Sequence, residues 1–141
     1  MKTFLIAASL LVVSPVQARL LSNNLNNAYV YSVTSSKGGT ELVKDRLATA
    51  RDHGGAWMQI TTDDVGYGHN AQARLLGTPL REIRSEALCN VNGQPRPCHG
   101  RGTVIGYRRT WDASGREGGN FQYMVIPNGV GGPVRIDFQI R

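Results

Sequence analysis

No stretch of this sequence is apolar for long enough to cross a bilayer as a helix. Its best candidate, Phe4 to Val13, covers ten residues, where a hydrocarbon core requires about 20. Nucleophile signatures are missing as well. There is no G-x-S-x-G elbow, which removes the common serine-hydrolase arrangement, and the glycine-rich segments lack both the spacing and the Lys-Ser or Lys-Thr of a phosphate loop. Histidine is scarce, with three in the chain, and no two stand at i, i+4, so a zinc site on one helix face is not available. Cysteine is scarcer still, at two. Neither cysteine lies beside Ala18, which argues against a lipid-modified N-terminus, and no internal repeat or linker-like stretch divides the chain. These absences leave no cofactor motif and no expected metal site.

What the N-terminus carries reads as an export signal. Met1-Lys2-Thr3 precedes the apolar run, and Ser14-Pro15-Val16-Gln17-Ala18 follows it with small or aliphatic residues where a signal peptidase reads. The expectation is a signal peptide over residues 1–18, cleaved after Ala18, and a mature protein that is extracellular or periplasmic. Residues 19–27, polar and Asn-rich, read as a flexible lead-in, and residues 28–141 as a single globular domain. In an oxidising compartment two cysteines in a small chain predict a disulfide between Cys89 and Cys98. A loop of that size gains roughly 2 to 3 kcal/mol from its closure.

The charge is unevenly placed. Without Lys2 the chain has fifteen basic against ten acidic residues, net +5. Eight arginines between Arg74 and Arg116 stand against only Glu82, Glu86 and Asp112, so this one window accounts for the whole excess. A local basic excess predicts a basic face and an anionic partner. The competing reading is a solvated surface that serves solubility.

Periodicity predicts an α+β fold, mainly antiparallel sheet, with one amphipathic helix near the N-terminus of the mature chain. Tyr29, Tyr31 and Val33 alternate with Val30, Ser32 and Thr34 as in a strand. Thr40 can cap a helix carrying Glu41 in its first turn, with Leu42, Val43, Leu47 and Ala50 as an apolar stripe, and Gly54-Gly55 ends it after His53. Further strands are expected over 56–62, with Trp57 on the packed face, over 80–89, where a helix is the alternative, and over 103–111, 120–126 and 134–141. Residues 63–70 read as a loop, and Asn90 to Pro97 as a hairpin connection stapled by the cysteines. The last strand alternates most cleanly, with Val134, Ile136, Phe138 and Ile140 against Arg135, Asp137, Gln139 and Arg141.

A series of landmarks runs along the chain in fixed order. Tyr29-Val30-Tyr31-Ser32-Val33-Thr34-Ser35-Ser36 is followed by His53-Gly54-Gly55 and Val65-Gly66-Tyr67-Gly68. Then come Cys89, Pro97-Cys98, Gly102-Thr103-Val104-Ile105-Gly106-Tyr107 and Trp111-Asp112-Ala113-Ser114-Gly115. In that order they resemble the YolA-like family of small bacterial secreted proteins of uncharacterised function, from about Ala28 to the end. The resemblance implies bacterial secretion and a paired Cys89 and Cys98. It implies no activity.

Two chemistries are expected from the residues. The first is a non-catalytic binding surface on which Arg81, Arg84, Arg108 and Arg109, interleaved with Tyr107 and Trp111, meet an anionic envelope polymer, a protein or nucleic acid. Arg108 and Arg109 must point to opposite faces of a regular strand, and packing in the core is the competing fate for both rings. The second is a small nuclease-like hydrolase or toxin in which His53 or His69, with Asp63, Asp64 or Glu117, acts as general acid or base. For His53 the bland alternative is a helix C-terminal residue, and for Asp63 and Asp64 ordinary turn residues.

Overall fold

A computed structural model describes residues 24–100 and 102–141. The expected signal peptide, its cleavage point and most of the lead-in lie outside these residues. The described chain forms ten strands: β1 Leu25–Ser35, β2 Gly39–Leu42, β3 Met58–Gly66, β4 Gly68–Leu75, β5 Thr78–Pro79, β6 Arg81–Val91, β7 Gln94–Pro97, β8 Val104–Asp112, β9 Gly119–Pro127 and β10 Val134–Ile140. All strand pairs are antiparallel. They build a six-stranded sheet in the order β2-β1-β3-β8-β6-β7 and a four-stranded sheet in the order β10-β9-β4-β5.

The core lies between the sheets. Val30, Val33, Met58, Ile60 and Trp111 of the larger sheet face Ala73, Leu75, Phe121, Tyr123, Val125, Phe138 and Ile140 of the smaller one, and all are buried. Burying one such side chain is worth about 1.5–3 kcal/mol. In β9 and β10 the period-two pattern does this directly. In β1 it does not: a register shift between Val30 and Ser32 lets Val30 and Val33, an odd number of residues apart, both serve the core. Tyr29, expected to share a face with Val33, instead pairs in register with Asp63 on the other side.

The expected helix is not formed, and the fold is all-β among the described residues. Residues 39–42 become β2 and pair with β1. Residues 43–53 become a strap that closes the free edge of β10. Thr49 N donates to the Gln139 carbonyl at 2.9 Å, Gln139 N donates to the Leu47 carbonyl at 2.9 Å, and His53 N donates to the Arg141 carbonyl. The apolar stripe therefore comes apart, with Val43 buried while Leu42 and Leu47 are 61% and 80% exposed. A helix would have buried Leu47, but it would have left β10 with an unpaired edge. Glu41 does bind backbone N–H groups, as a helix-start carboxylate would. Those it binds belong to Ala50 and Arg51, nine and ten residues further on, at 2.8 and 3.3 Å.

Other expectations shift by a few residues. The segment read as a loop at 63–70 is strand on both sides of Tyr67, where the chain crosses between sheets. Gly66 makes that crossing with φ +104, and a Cβ there would strike the Asn24 carbonyl. Trp57, expected on the packed face, is 44% exposed. β1 begins at Leu25, so the end of the stretch read as a lead-in is strand. The larger sheet also curls: Lys44, just past β2 at one edge, reaches Gln94 of β7 at the other with a 3.5 Å hydrogen bond. The disulfide expected between Cys89 and Cys98 is present and holds β7 against β6.

Candidate functional site

His53 is held in a closed network. Its Nδ1 lies 3.0 Å from Ser35 Oγ and its Nε2 lies 3.2 Å from Glu41 Oε2. Gly38 N donates to the same serine oxygen at 2.9 Å. A serine, an imidazole and a carboxylate in series invite comparison with a nucleophile triad, but all three side chains are buried, His53 to 1% exposure. The remaining glutamate oxygen is occupied by the strap N–H groups and by Arg46 Nη1 at 3.5 Å. Burial pushes the Glu41 carboxyl up, yet the N–H groups of Ala50 and Arg51, together with His53, outweigh it and hold the carboxyl below its usual range. This network joins β1 and β2 to the strap.

Asp63 and Asp64, read as turn residues, are neighbouring positions of β3 and are both buried. β8 lies beside β3 and brings Arg108 and Arg109 to meet them. Arg108 forms a bidentate pair with Asp63, its Nε 2.7 Å from Oδ1 and its Nη2 2.8 Å from Oδ2, and Tyr29 OH adds a 3.3 Å bond. The guanidinium also stacks 3.6 Å from the Tyr31 ring centroid. On the opposite face Asp64 accepts from Tyr123 OH at 2.7 Å and from Arg109 Nε at 3.3 Å. Burial raises the Asp64 carboxyl above its ordinary range despite these donors. Arg109 reaches Glu82 at 3.6 Å, and Trp111 Nε1 donates to Thr62 Oγ1 at 3.0 Å within the core.

The four arginines expected to form one basic face are thus divided. Arg108 and Arg109 point to opposite sides of the larger sheet, as a regular strand requires, and both are committed to buried carboxylates. Arg81 and Arg84 are exposed on β6, with Asp112 at 3.7 Å and Glu86 at 3.1 Å. Exposed pairs of that kind are worth about 0–1 kcal/mol, so these two cations are available to a ligand. His69 is exposed and bonds Asn128 Oδ1 at 2.8 Å through Nδ1, whereas His99 lines a depression beside the disulfide. The three histidines therefore have separate surroundings. Among the described residues no group of three or more His, Cys, Asp or Glu is placed to hold a metal ion.

The smaller sheet presents a surface that sequence reading did not single out. Its outward positions in β4, β9 and β10 include two rows registered across all three strands, Gln72-Met124-Arg135 and Arg74-Gln122-Asp137. They enclose a shallow cavity of about 350 Å³. Alternation in each strand already pointed these side chains outward. What it could not supply was that β4, β9 and β10 are neighbours.

The family described as Domain of unknown function (DUF4879) matches residues 17–138. No curated protein matches the chain, and no solved structure matches it.

Proposed function

We propose that this chain, which belongs to the DUF4879 family of domains of unknown function, acts as a secreted, non-catalytic binding module with an anionic extracellular or envelope partner. The observation that carries the reading is the contrast between buried His53 and Asp64 and exposed Arg81 and Arg84. His53 and Asp64, two of the groups expected of a hydrolase, are buried and hydrogen-bonded inside the protein, and the exposed His69 has Asn128 rather than a carboxylate on its Nδ1. Arg81 and Arg84 keep 79% and 68% of their side-chain surface. A buried imidazole whose two nitrogens face a serine and a glutamate holds strands together. It has no route to a substrate proton.

Secretion belongs to the same proposal. It rests on the N-terminal sequence and on the Cys89–Cys98 disulfide, which persists in oxidising compartments. No helix of the described residues is long and apolar enough to cross a membrane. The YolA-like resemblance of the ordered motifs is kept within this reading, since it too describes an uncharacterised secreted family.

The experiment is binding of the mature protein to immobilised anionic polymer across a salt series, with Arg81→Glu/Arg84→Glu beside the native protein. Native binding should weaken steadily between 50 and 500 mM salt, because exposed charges are screened over about 10 Å at 0.1 M. The reversed variant should bind less at every salt concentration. Binding indifferent to salt would overturn the reading, as would cleavage of RNA or DNA that His53→Ala or His69→Ala abolishes.

A further inference from the structure

We infer that the outer face of the smaller sheet is a binding groove for a linear, carboxylate-bearing polysaccharide. The inference rests on the binding-module reading and locates its ligand. β9 is the middle strand and supplies the floor through Gln122 and Met124, while β4 and β10 supply the walls. Arg74 stands in one wall and Arg135 in the other. Among the described residues neither guanidinium has a carboxylate within ion-pair distance, unlike Arg81, Arg84, Arg108 and Arg109.

The geometry selects an extended ligand. Arg74 is level with Gln122 and Asp137, and Arg135 is level with Met124 and Gln72. The two arginines are therefore two strands apart, about 10 Å, and two residues out of step, about 7 Å, which puts their Cα positions about 12 Å apart across β9. A molecule touching both must lie across the middle strand. Each planar guanidinium can take a carboxylate in a two-point contact.

The groups between the arginines match hydroxyls better than more charge. Gln122 donates to Asp137 Oδ1 at 3.2 Å, leaving its amide oxygen and the second aspartate oxygen as acceptors, and Gln72 adds a donor and an acceptor. A chain of acidic sugars alternates carboxylates with hydroxyls in this way. Nucleic acid fits less well. Neither of the two rows holds an aromatic side chain to stack a base, and Asp137 would face the phosphate backbone.

The test measures affinity of the mature protein for polygalacturonate, with dextran as the uncharged polymer and single-stranded DNA as the alternative polyanion. Arg74→Glu/Arg135→Glu and Arg81→Glu/Arg84→Glu are compared with the native protein, each with its thermal midpoint recorded to establish folding. The expected result is binding of polygalacturonate but not dextran. The Arg74/Arg135 reversal should weaken it by about tenfold or more at low salt and the Arg81/Arg84 reversal by much less. Loss confined to the Arg81/Arg84 variant would overturn the groove while leaving the binding module intact. Preference for DNA over polygalacturonate would overturn the polysaccharide. Absence of salt-dependent binding to any polyanion would remove the groove and the module together.

Discussion

Replacing Arg108 by Gln separates a structural arginine from a ligand-binding one. In the native protein Asp63 is fully buried and takes two charge-assisted hydrogen bonds from Arg108, at 2.7 and 2.8 Å, with Tyr29 OH at 3.3 Å as the weaker third. Arg108→Gln removes both strong donors and leaves an ionised carboxylate out of water. Breaking one side of a buried pair costs about 3–5 kcal/mol, much of it the desolvation of the partner left behind. For a domain of this size each kcal/mol moves the thermal midpoint by about 3–5 °C, so the variant should melt about 10–20 °C below the native protein. Urea titrations of the native protein, Arg108→Gln, Asp63→Asn and the double variant form the assay. The double variant carries no buried charge at this pair and should be closer in stability to either single variant than to their sum, with a coupling of about 2–3 kcal/mol. Polymer binding by folded Arg108→Gln should be unchanged. A variant within about 0.5 kcal/mol of native stability that loses binding would refute the assignment and return Arg108 to the surface.

Glu41→Gln tests the strap. Because the folded carboxyl sits below its ordinary value of 4.5, its ionised form stabilises the fold above that pH, and the contribution is lost as pH falls through the folded value. The variant should melt lower than the native protein at pH 7, and the gap should narrow below about pH 4.5; a gap constant from pH 7 to pH 3 would refute this. Cys89→Ser/Cys98→Ser should cost about 2–3 kcal/mol. Amide exchange should speed up first where Cys98 N donates to the Ala87 carbonyl and β7 pairs with β6. Exchange accelerated equally across β9 and β10 would show instead that the disulfide supports the whole domain.

Strands whose faces are set by one neighbour on each side were legible in the sequence. β9 and β10 are plain cases: Phe121, Tyr123, Val125, Phe138 and Ile140 point inward as their alternation predicts. Arg109 shares the inward face with Trp111, and Arg108 points the other way, as expected of neighbours in a regular strand. The 40–53 segment was misread because its local signals, a capping threonine, an early glutamate and a terminal glycine pair, are real but weak. Helix formation from so short a stretch rests largely on tertiary packing. The edge of β10, nearly a hundred residues away in the chain, offered the strap's backbone groups partners that a helix could not match. The Asp63-Asp64 pair was misread for a related reason. Two adjacent carboxylates suggest a turn until two adjacent arginines 45 residues later supply their partners.

That pairing also changes where the positive charge lies. Counted along residues 19–141, the whole excess of +5 falls between Arg74 and Arg116 and the remainder is neutral. Counted in space, Asp63 and Asp64 come from the neutral remainder and are buried against Arg108 and Arg109 of the basic window. With the two pairs set aside, the window keeps six arginines against three acids, and the remainder keeps seven basic residues against five acids. The excess is then +3 in one part and +2 in the other. Positive potential is therefore not confined to the stretch around β6 and β8. Arg135, from the part that looked neutral, joins Arg74 across β9. A linear count would direct a search to β8, whose two arginines are already taken, and would leave out Arg135, which like Arg74 has no carboxylate partner among the described residues.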